Sequence, residues 1–222
     1  MALTIVTFDW VPPMPRGYVR DLRVRWACEE AGLPYAVETV PMRPKSPAHQ
    51  AIQPFAQVPI LRDGALTLFE SGAIVLHLAQ RSDALMPADA EGRAHVLQWV
   101  MAALGSVESW TLPWLIALLF DRDEAATARA ATRMDERLGQ LAAVLEGRDW
   151  LVGDRFTAAD LLMADVLRIV DDHGGLDAHP LLRAYVARAT ARPAFRKAHR
   201  DQLDHFAAAD APVAASLQGA DA

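Results

Sequence analysis

Two short motifs in the first third of the chain carry residue types suited to binding a small polar ligand. Gln57-Val58-Pro59 opens a run of strand-forming residues, and Glu70-Ser71-Gly72 stands at the start of a helical pattern. A proline within a strand cannot donate a ladder hydrogen bond, so Pro59 indicates a sheet edge or a backbone that serves a ligand. The helix start at Ser71 offers unpaired N–H groups and a positive dipole end, which suit a carboxylate. Ordinary helix capping by Glu70 and Ser71 is the alternative interpretation.

Other chemical signatures are missing from the sequence. The lone cysteine, Cys28, cannot form an internal disulfide, and it excludes CxxC redox chemistry and thiolate zinc clusters. The seven histidines show neither HxxxH nor HExxH spacing, and no GxGxxG, GxxxxGK[ST] or GxSxG motif occurs. We therefore expect no metal.

The amino-acid composition and the net charge exclude several classes of protein. The 222 residues are 52% hydrophobic and 23% charged, as in soluble globular proteins, and the net charge is −6. Because duplex-binding proteins carry basic surfaces, nucleic acid is disfavoured as a partner. The N-terminus lacks the basic region of a signal peptide. The most apolar stretch, residues 96–107, is shorter than a membrane span and suits a buried helix. These features predict a cytoplasmic protein that does not enter a membrane.

Residues 1–82 alternate short strand and helix patterns in the order β-α-β-α-β-β-α. The first two strands flank a helix and should pair in parallel, whereas Asp63-Gly64 predicts a tight antiparallel hairpin. The predicted strands are Leu3–Phe8, Tyr35–Val40, Gln57–Arg62 and Ala65–Phe69, and the predicted helices are Val19–Ala31, Pro47 to about Gln53 (capped by Ser46) and Glu70–Arg81.

The rest of the chain is helical in pattern. We predict a linker over 83–90, a helical domain over 91–206 and a flexible tail over 207–222. Pro113 should kink or divide the first long helix. Residues 83–222 hold 14 basic and 21 acidic side chains, a net charge of −7. The predicted helices are Glu91–Phe120, Glu124–Leu145, Ala158–Val170, Leu181–Ala189 and Ala194–Phe206.

The motif Phe156-Thr157-Ala158-Ala159-Asp160-Leu161 predicts a helix start. Thr157 fits the N-cap, and Asp160 at the third helical position can reach back to the N-cap N–H. Phe156 and Leu161 fit a hydrophobic staple. We interpret this motif as structural and assign it no catalysis.

Taken together, these elements resemble the glutathione transferase family. The matching segments are LRVRWACEEAGLPYAVE (22–38), QVPIL (57–61), FESGAI (69–74) and FTAAD (156–160), in the family's order and spacing across roughly residues 1–205. The resemblance implies an α/β thioredoxin-like N-terminal domain (1–82) followed by an all-helical C-terminal domain. It also implies a bacterial, cytosolic-type enzyme of detoxification that uses glutathione as co-substrate and forms a homodimer.

The resemblance assigns roles in glutathione binding. Pro59 would be cis and would turn the Val58 backbone toward the cysteinyl backbone of glutathione. Ser71 would bind the γ-glutamyl carboxylate, and Glu70 would position the ammonium group. Gln57 would contact the glycyl carboxylate. Two further candidates for that carboxylate, which are otherwise solvated loop residues, are Lys45 and His49.

This sequence departs from the family pattern at the group that contacts the glutathione sulfur. Relatives carry a Tyr, Ser or Cys near the first helix, and such a donor favours the thiolate and lowers the thiol pKa. Between Leu3 and Cys28 the only hydroxyls are those of Thr4, Thr7 and Tyr18. Tyr18 is therefore the leading candidate, with a packing or solvent-facing tyrosine as the alternative. Arg16 and Arg20 are secondary candidates that are otherwise surface charges, and backbone N–H groups could serve instead. Cys28 should be a small buried residue.

The second substrate implied by the resemblance is a hydrophobic electrophile. Its pocket should be apolar and lie between the domains, with Trp10, Trp110 and Trp114 as candidate lining residues; packing in a core is the alternative for the helical tryptophans. The predicted function is transfer of glutathione to that electrophile. The alternatives are a transferase-like binding protein without catalysis and a glutathione-dependent isomerase or dehalogenase.

Overall fold

The computed structural model describes residues 3–210. Within that range the chain forms two compact units, one from residues 3–75 with 193–210 and one from residues 76–192. The sequence predicted a different division, with a linker over 83–90 and a helical domain that ran to residue 206. Of the predicted tail over 207–222, residues 211–222 lie outside the described part of the chain.

The N-terminal unit is built on a four-stranded mixed sheet. Its strands are β1 (Leu3–Phe8), β2 (Tyr35–Val40), β3 (Ile60–Asp63) and β4 (Leu66–Phe69), in the spatial order β2-β1-β3-β4. β1 is parallel to β2 and antiparallel to β3, and β3 is antiparallel to β4. This confirms the predicted thioredoxin-like arrangement. The third strand begins at Ile60 rather than Gln57, which leaves the Gln57-Val58-Pro59 backbone outside the ladder.

Four helices accompany this sheet: α1 (Asp21–Ala31), α2 (Pro47–Ile52), α3 (Ser71–Ala79) and, from the end of the chain, α9 (Pro193–Ala208). The division between the units falls inside α3. α1 is terminated by Gly32, the residue that follows it, whose φ of +65° is left-handed and favours glycine. α9 packs on α1, where the rings of Phe195 and Trp26 lie 4.8 Å apart. The apolar periodicity of α9 predicted a helix but not the partner against which it packs.

The helical unit begins with a 32-residue helical run from Ala90 to Asp121. It comprises α4 (Ala90–Ala102) and α5 (Glu108–Ile116), each followed by a π-helical turn, and Pro113 lies within α5. By length and composition alone this run could cross a membrane, a test that core helices also pass. Val100 and Trp114 are buried in the core of the unit. The π turns show that the regular helical bonding is interrupted on both sides of Pro113.

The remaining helices are α6 (Glu124–Leu145), α7 (Ala158–Asp172) and α8 (Pro180–Thr190). Asp160 at the start of α7 is fully buried. Its carboxylate accepts hydrogen bonds from the Thr157 N–H (2.9 Å), the Leu151 N–H (2.8 Å) and the Tyr185 hydroxyl (2.9 Å). Burial nevertheless raises the pKa of Asp160 above its usual value. These contacts confirm that the motif around Asp160 is structural.

Candidate functional site

The hairpin of β3 and β4 brings the two predicted ligand motifs side by side. Ile60 pairs with Phe69 in the antiparallel ladder. Because Pro59 and Glu70 are the next residues outward, they lie at the same end of the hairpin. The Val58–Pro59 peptide bond is cis, as the resemblance implies. Val58 and Pro59 are buried, whereas Gln57 is exposed.

The short helix α2 fixes the backbone ahead of this cis bond. The Gln57 N–H donates to Oε1 of Gln53 (3.1 Å), and the Gln57 carbonyl accepts from Nε2 of His49 (2.8 Å). Since a carbonyl only accepts, Nε2 of His49 carries the proton. His49 is buried, with 3% of its surface exposed. The structure therefore places His49 behind the loop, where it positions Gln57.

Lys45 lies at the other end of the same connection, close to the end of β1. Its Nζ stands 4.2 Å from the centre of the Phe8 ring, which is a cation–π contact. Partial burial, with a smaller contribution from Arg43, lowers the pKa of Lys45 from its usual value. A half-buried cation at this position can attract an anion.

Ser71 is the first residue of α3 and is buried, with 6% of its surface exposed. Its Oγ accepts a hydrogen bond from Nη1 of Arg23, over 3.2 Å. Glu70, immediately before it, is exposed and adopts a left-handed φ of +69°, and its carbonyl accepts from the Ile74 N–H (2.9 Å). The helix end thus combines a fixed hydroxyl, an adjacent guanidinium and a positive dipole, an arrangement that favours a carboxylate.

Arg23 is a site residue that the sequence analysis missed. It lies in the first turn of α1 with only 3% of its surface exposed. A buried arginine needs partners for its charge and its N–H donors. An arginine on the buried stripe of α1 was therefore the signal in the sequence that could have identified Arg23. Periodicity could not say which residue it meets, because Ser71 is 48 residues away along the chain.

The connection from β1 to α1 is held by α9 and the residues after it. Asp210 accepts hydrogen bonds from Trp10 Nε1 (2.8 Å) and from both terminal nitrogens of Arg16 (2.8 and 2.5 Å). Arg16 also donates to the Val11 carbonyl from Nε (3.1 Å). Gln202 of α9 donates to the Val19 carbonyl (2.9 Å). The structure therefore places Arg16 and Trp10 together around Asp210.

Tyr18 and Arg20 lie in the last turn of this connection, and both are half-buried. The Tyr18 N–H donates to the Pro15 carbonyl over 2.9 Å, and Arg20 occupies the N-cap position of α1. Cys28, further along α1, is fully buried. Burial, reinforced by Glu29, raises the pKa of the Cys28 thiol to about 12. The prediction that Cys28 is a small buried residue is confirmed.

The two tryptophans predicted for the second-substrate pocket occupy different environments in the helical unit. Trp114 is buried with 6% of its surface exposed, and a Cβ added to Gly175 would lie 2.9 Å from its ring. Trp110 is half-buried, and the guanidinium of Arg137 lies 6.0 Å from its ring centre. Trp114 thus packs in the core, whereas Trp110 presents part of its ring at the surface.

Known protein families match most of this sequence. The sequence profiles of the glutathione S-transferase N-terminal and C-terminal domains match residues 21–85 and 92–193. Glutathione S-transferase 1 of Zea mays is 32% identical over 192 residues, which span 79% of this chain and 88% of that protein. The chain belongs to the glutathione S-transferase family.

Further family members agree with this assignment. Glutathione S-transferase F11 of Arabidopsis thaliana is 33% identical over 168 residues, which span 69% of this chain and 78% of that protein. The crystal structure of a glutathione transferase from Burkholderia graminis, with two glutathione molecules per subunit, superimposes with a TM-score of 0.76 at 25% identity. The match covers 89% of this chain and 87% of that one. The thioredoxin-like domain followed by a helical domain is the fold of this family.

Proposed function

We propose that this protein binds glutathione at the N-terminus of α3 and transfers it to a hydrophobic electrophile. The observation that carries the proposal is the buried Ser71 hydroxyl, which Arg23 fixes beside the cis Val58–Pro59 bond. Membership of the family supports the proposal, and so does the Burkholderia graminis structure that contains glutathione.

The hairpin geometry supports one arrangement of bound glutathione. The γ-glutamyl carboxylate accepts from the Ser71 hydroxyl, which keeps its own proton because its oxygen accepts from Arg23. Exposed Glu70 pairs with the ammonium group. The Val58 backbone pairs with the cysteinyl backbone as an added strand would. Gln57 donates from its side chain to the glycyl carboxylate.

Lys45 and His49 contribute in different ways in this proposal. Lys45 stands on the Phe8 ring, at the surface, and attracts the glycyl carboxylate by charge. His49 holds the Gln57 carbonyl and acts through the position of that loop. His49 is therefore a positioning residue rather than a direct ligand.

Tyr18 is the proposed donor to the glutathione sulfur. Its hydroxyl would stabilise the thiolate, so the thiol proton leaves to solvent at neutral pH. The thiolate then attacks the electrophilic carbon and forms a C–S bond. In a substitution the leaving group departs with the electron pair of its bond, and in an addition the new carbanion takes a proton from water. Placing both reactants together provides the rest of the acceleration.

Arg20 and Arg16 are the secondary candidates for stabilising the thiolate. Arg20 stands at the start of α1, where the N-terminal N–H groups of the helix also point. The Arg16 guanidinium already forms an ion pair with Asp210. Arg16 would therefore stabilise the thiolate by its positive charge at a distance and not by a direct hydrogen bond. Trp10, Trp110 and Trp114 remain candidates for contact with the electrophile, and Trp110 exposes more of its ring than the buried Trp114 does.

A binding protein without catalysis is the second candidate function. The observation that favours it is the absence of Ser and Cys between Leu3 and Cys28. An isomerase or dehalogenase that uses glutathione would share the same thiolate, so it is distinguished only by its product.

We also propose a homodimer, as is typical of the family. The supporting observation is that each unit exposes large apolar side chains, which association of two copies would cover. Leu97 and Met101 lie one turn apart on α4 and are 48% and 55% exposed, and Phe55 is 66% exposed beside Phe69. A mass near 24.3 kDa in analytical ultracentrifugation would contradict the dimer. A cytoplasmic location, a bacterial source and a role in detoxification stay predictions.

The experiment that tests the proposed function is calorimetric titration of glutathione into wild type, Ser71→Ala and Ser106→Ala, with thiolate absorbance followed across pH. Ser106 is exposed in the helical unit and serves as the matched control. We expect binding and a lowered thiol pKa in wild type and the control, and loss of binding in Ser71→Ala. Binding without a lowered thiol pKa would favour the non-catalytic candidate. Absence of binding in wild type would refute the glutathione function.

A further inference from the structure

One face of α9 holds the connection from β1 to α1 near both of its ends. The carbonyl of Phe8, the last residue of β1, accepts a hydrogen bond from Nε2 of His205 over 3.0 Å. The carbonyl of Val19, shortly before α1, accepts from Nε2 of Gln202 over 2.9 Å. Gln202 and His205 are three residues apart and therefore lie on the same face of α9. This face fixes where the connection begins and where it ends.

The bond from Gln202 reaches a carbonyl that already has a partner. The Val19 carbonyl also accepts from the Leu22 N–H, over 3.0 Å, at the start of α1. A carbonyl has two lone pairs, so both bonds form together. Because the Leu22 N–H already satisfies this carbonyl, the bond from Gln202 is not needed for that purpose. What the bond adds is a fixed position of the carbonyl relative to α9.

Asp21, the first residue of α1, is the second acceptor of the Gln202 side chain. Its carboxylate is fully buried and accepts from Nε2 of Gln202 (2.5 Å) and from Nε of Arg25 (2.7 Å). A carboxylate in the first turn stabilises the positive end of the helix dipole. The N-cap residue, Arg20, cannot cap α1 with its side chain, because a guanidinium has no acceptor. Gln202 thus joins the end of the connection to the first residue of the helix.

The network of Gln202, Asp21 and Arg25 leaves two buried polar atoms unpaired. Oε1 of Gln202 and Nη2 of Arg25 form no hydrogen bond with any residue from 3 to 210. Gln202 is fully buried. Unpaired buried polar atoms lower the stability of a protein, and an apolar side chain of the same shape avoids that cost. The position that the network gives to the start of α1 therefore explains it better than the stability that it adds.

We propose that Gln202 is a positioning residue for the thiolate of glutathione, acting through residues 18–20 and the start of α1. This inference rests on the proposed function, in which the group that stabilises the thiolate belongs to this part of the chain. A hydrogen bond weakens steeply as its donor moves out of line, so a shift of this turn raises the thiol pKa. Ser71 and Val58, which hold the rest of glutathione, lie on other elements. Gln202 therefore acts on the sulfur and leaves the other contacts of glutathione unchanged.

The test uses Gln202→Met, which keeps an unbranched side chain of similar size and removes both hydrogen bonds. The pKa of the bound thiol is measured from thiolate absorbance across pH. Calorimetry gives the Kd for glutathione and for S-methylglutathione, which has no thiol. We expect the thiolate fraction at neutral pH to fall at least about fivefold. The Kd for S-methylglutathione should stay within about twofold of the wild-type value.

Gln202→Asn is the second variant, for use if Gln202→Met does not fold. Its amide is one methylene too short to reach both acceptors, so it should raise the thiol pKa in the same direction. In either variant the rate with a saturating electrophile should fall by the same factor as the thiolate fraction, because the thiolate is the nucleophile.

Two control variants loosen the packing of α9 on α1 without removing either bond of Gln202. Lys197→Met removes the hydrogen bond from Lys197 to Glu29, near the far end of α1. Ala198→Gly weakens α9 itself at a fully buried position. We expect both controls to keep the thiol pKa of wild type, and melting temperatures show that every variant is folded at the assay temperature.

Three results would overturn the inference while wild type binds glutathione and lowers its thiol pKa. The first is an unchanged thiol pKa in folded Gln202→Met and Gln202→Asn. The second is an equal rise in the control variants, which would mean that any loosening of α9 has this effect. The third is an equal loss of affinity for glutathione and S-methylglutathione in Gln202→Met, which would mean that Gln202 shapes the whole site. Wild type that binds no glutathione, or does not lower its thiol pKa, would overturn the proposed transfer together with this inference.

Discussion

Arg23 in the first turn of α1 donates a hydrogen bond to the hydroxyl of Ser71 at the start of α3, over 3.2 Å. Both residues are buried, with 3% and 6% of their surfaces exposed. A buried hydroxyl that accepts from a cation is oriented with its own proton pointing away from that cation. The proton that Ser71 can offer to a carboxylate is therefore placed by a residue from another helix.

The first prediction is that Arg23 and Ser71 act together in binding glutathione. We expect Ser71→Ala and Arg23→Met each to weaken the Kd about tenfold or more, because each removes part of a charge-assisted network. In a double-mutant cycle measured by calorimetry, the coupling free energy should be about 1 kcal/mol. Arg62→Met, which removes an exposed arginine of β3 in the same unit, is the control. Strictly additive losses would show that Arg23 does not act through Ser71.

The hydrogen bond from Arg23 to Ser71 also shows which features of the fold and site the sequence could and could not predict. The bounds of β1, β2 and α6 and the parallel and antiparallel pairings follow from local patterns, because apolar periodicity and turn residues act within a few residues. The bond from Arg23 to Ser71 and the packing of α9 on α1 depend on which buried faces meet in space. Arg16 was predicted as a candidate near the sulfur, yet its carboxylate partner is Asp210, 194 residues away. No local pattern contains that pairing.

The second prediction concerns the pH dependence of the contact between Arg16 and Asp210. Hydrogen bonds from Arg16 and then Trp10 lower the pKa of Asp210 to about 2. A carboxylate with a lowered pKa stabilises the folded state above its unfolded value of about 3.9 and loses that effect as the pH falls toward the folded value. We expect the melting temperature of wild type to exceed that of Asp210→Asn by a constant amount above about pH 5, and the difference to shrink below about pH 4.

Asp204→Asn is the control for this measurement, since Asp204 lies on α9 and is exposed as Asp210 is. It should show no comparable difference from wild type at any pH. The melting temperatures of wild type and Asp210→Asn should not differ at about pH 2 by as much as they do at neutral pH. If that difference persisted unchanged, the carboxylate charge would not be what holds the connection from β1 to α1.

The third prediction is that Cys28 does not react in the folded protein. Burial raises the pKa of its thiol to about 12, so almost no thiolate is present at pH 8, and the thiolate is the reactive species. A thiol reagent such as 5,5′-dithiobis(2-nitrobenzoate) should label the single cysteine only after unfolding. Cys28→Ala should keep glutathione-dependent turnover. Rapid labelling of the native protein, or loss of turnover in a folded Cys28→Ala, would contradict this prediction.

The fourth prediction concerns the stability of the helical unit. Asp160→Ala leaves the Leu151 N–H buried without its acceptor, takes away the closer of the two acceptors of the Tyr185 hydroxyl and also removes the helix cap. We expect a loss of about 3 kcal/mol or more in the free energy of unfolding, measured with urea. Asp89→Ala, which removes an exposed cap at the Gly92 N–H of α4, should cost less. Equal losses for the two variants would show that the buried contacts of Asp160 add nothing to its capping.

The last prediction tests Tyr18 as the donor to the glutathione sulfur. If its hydroxyl stabilises the thiolate, Tyr18→Phe raises the pKa of the bound thiol and lowers the thiolate fraction at neutral pH about tenfold or more. The rate with a saturating electrophile should fall by the same factor, while the Kd for glutathione changes little, because the other contacts remain. Arg20→Gln and Arg16→Gln are measured beside it. A thiol pKa that moves only in Arg20→Gln would assign the sulfur contact to the guanidinium at the start of α1, and one that moves in none of them would leave the N–H groups of that helix as the donor.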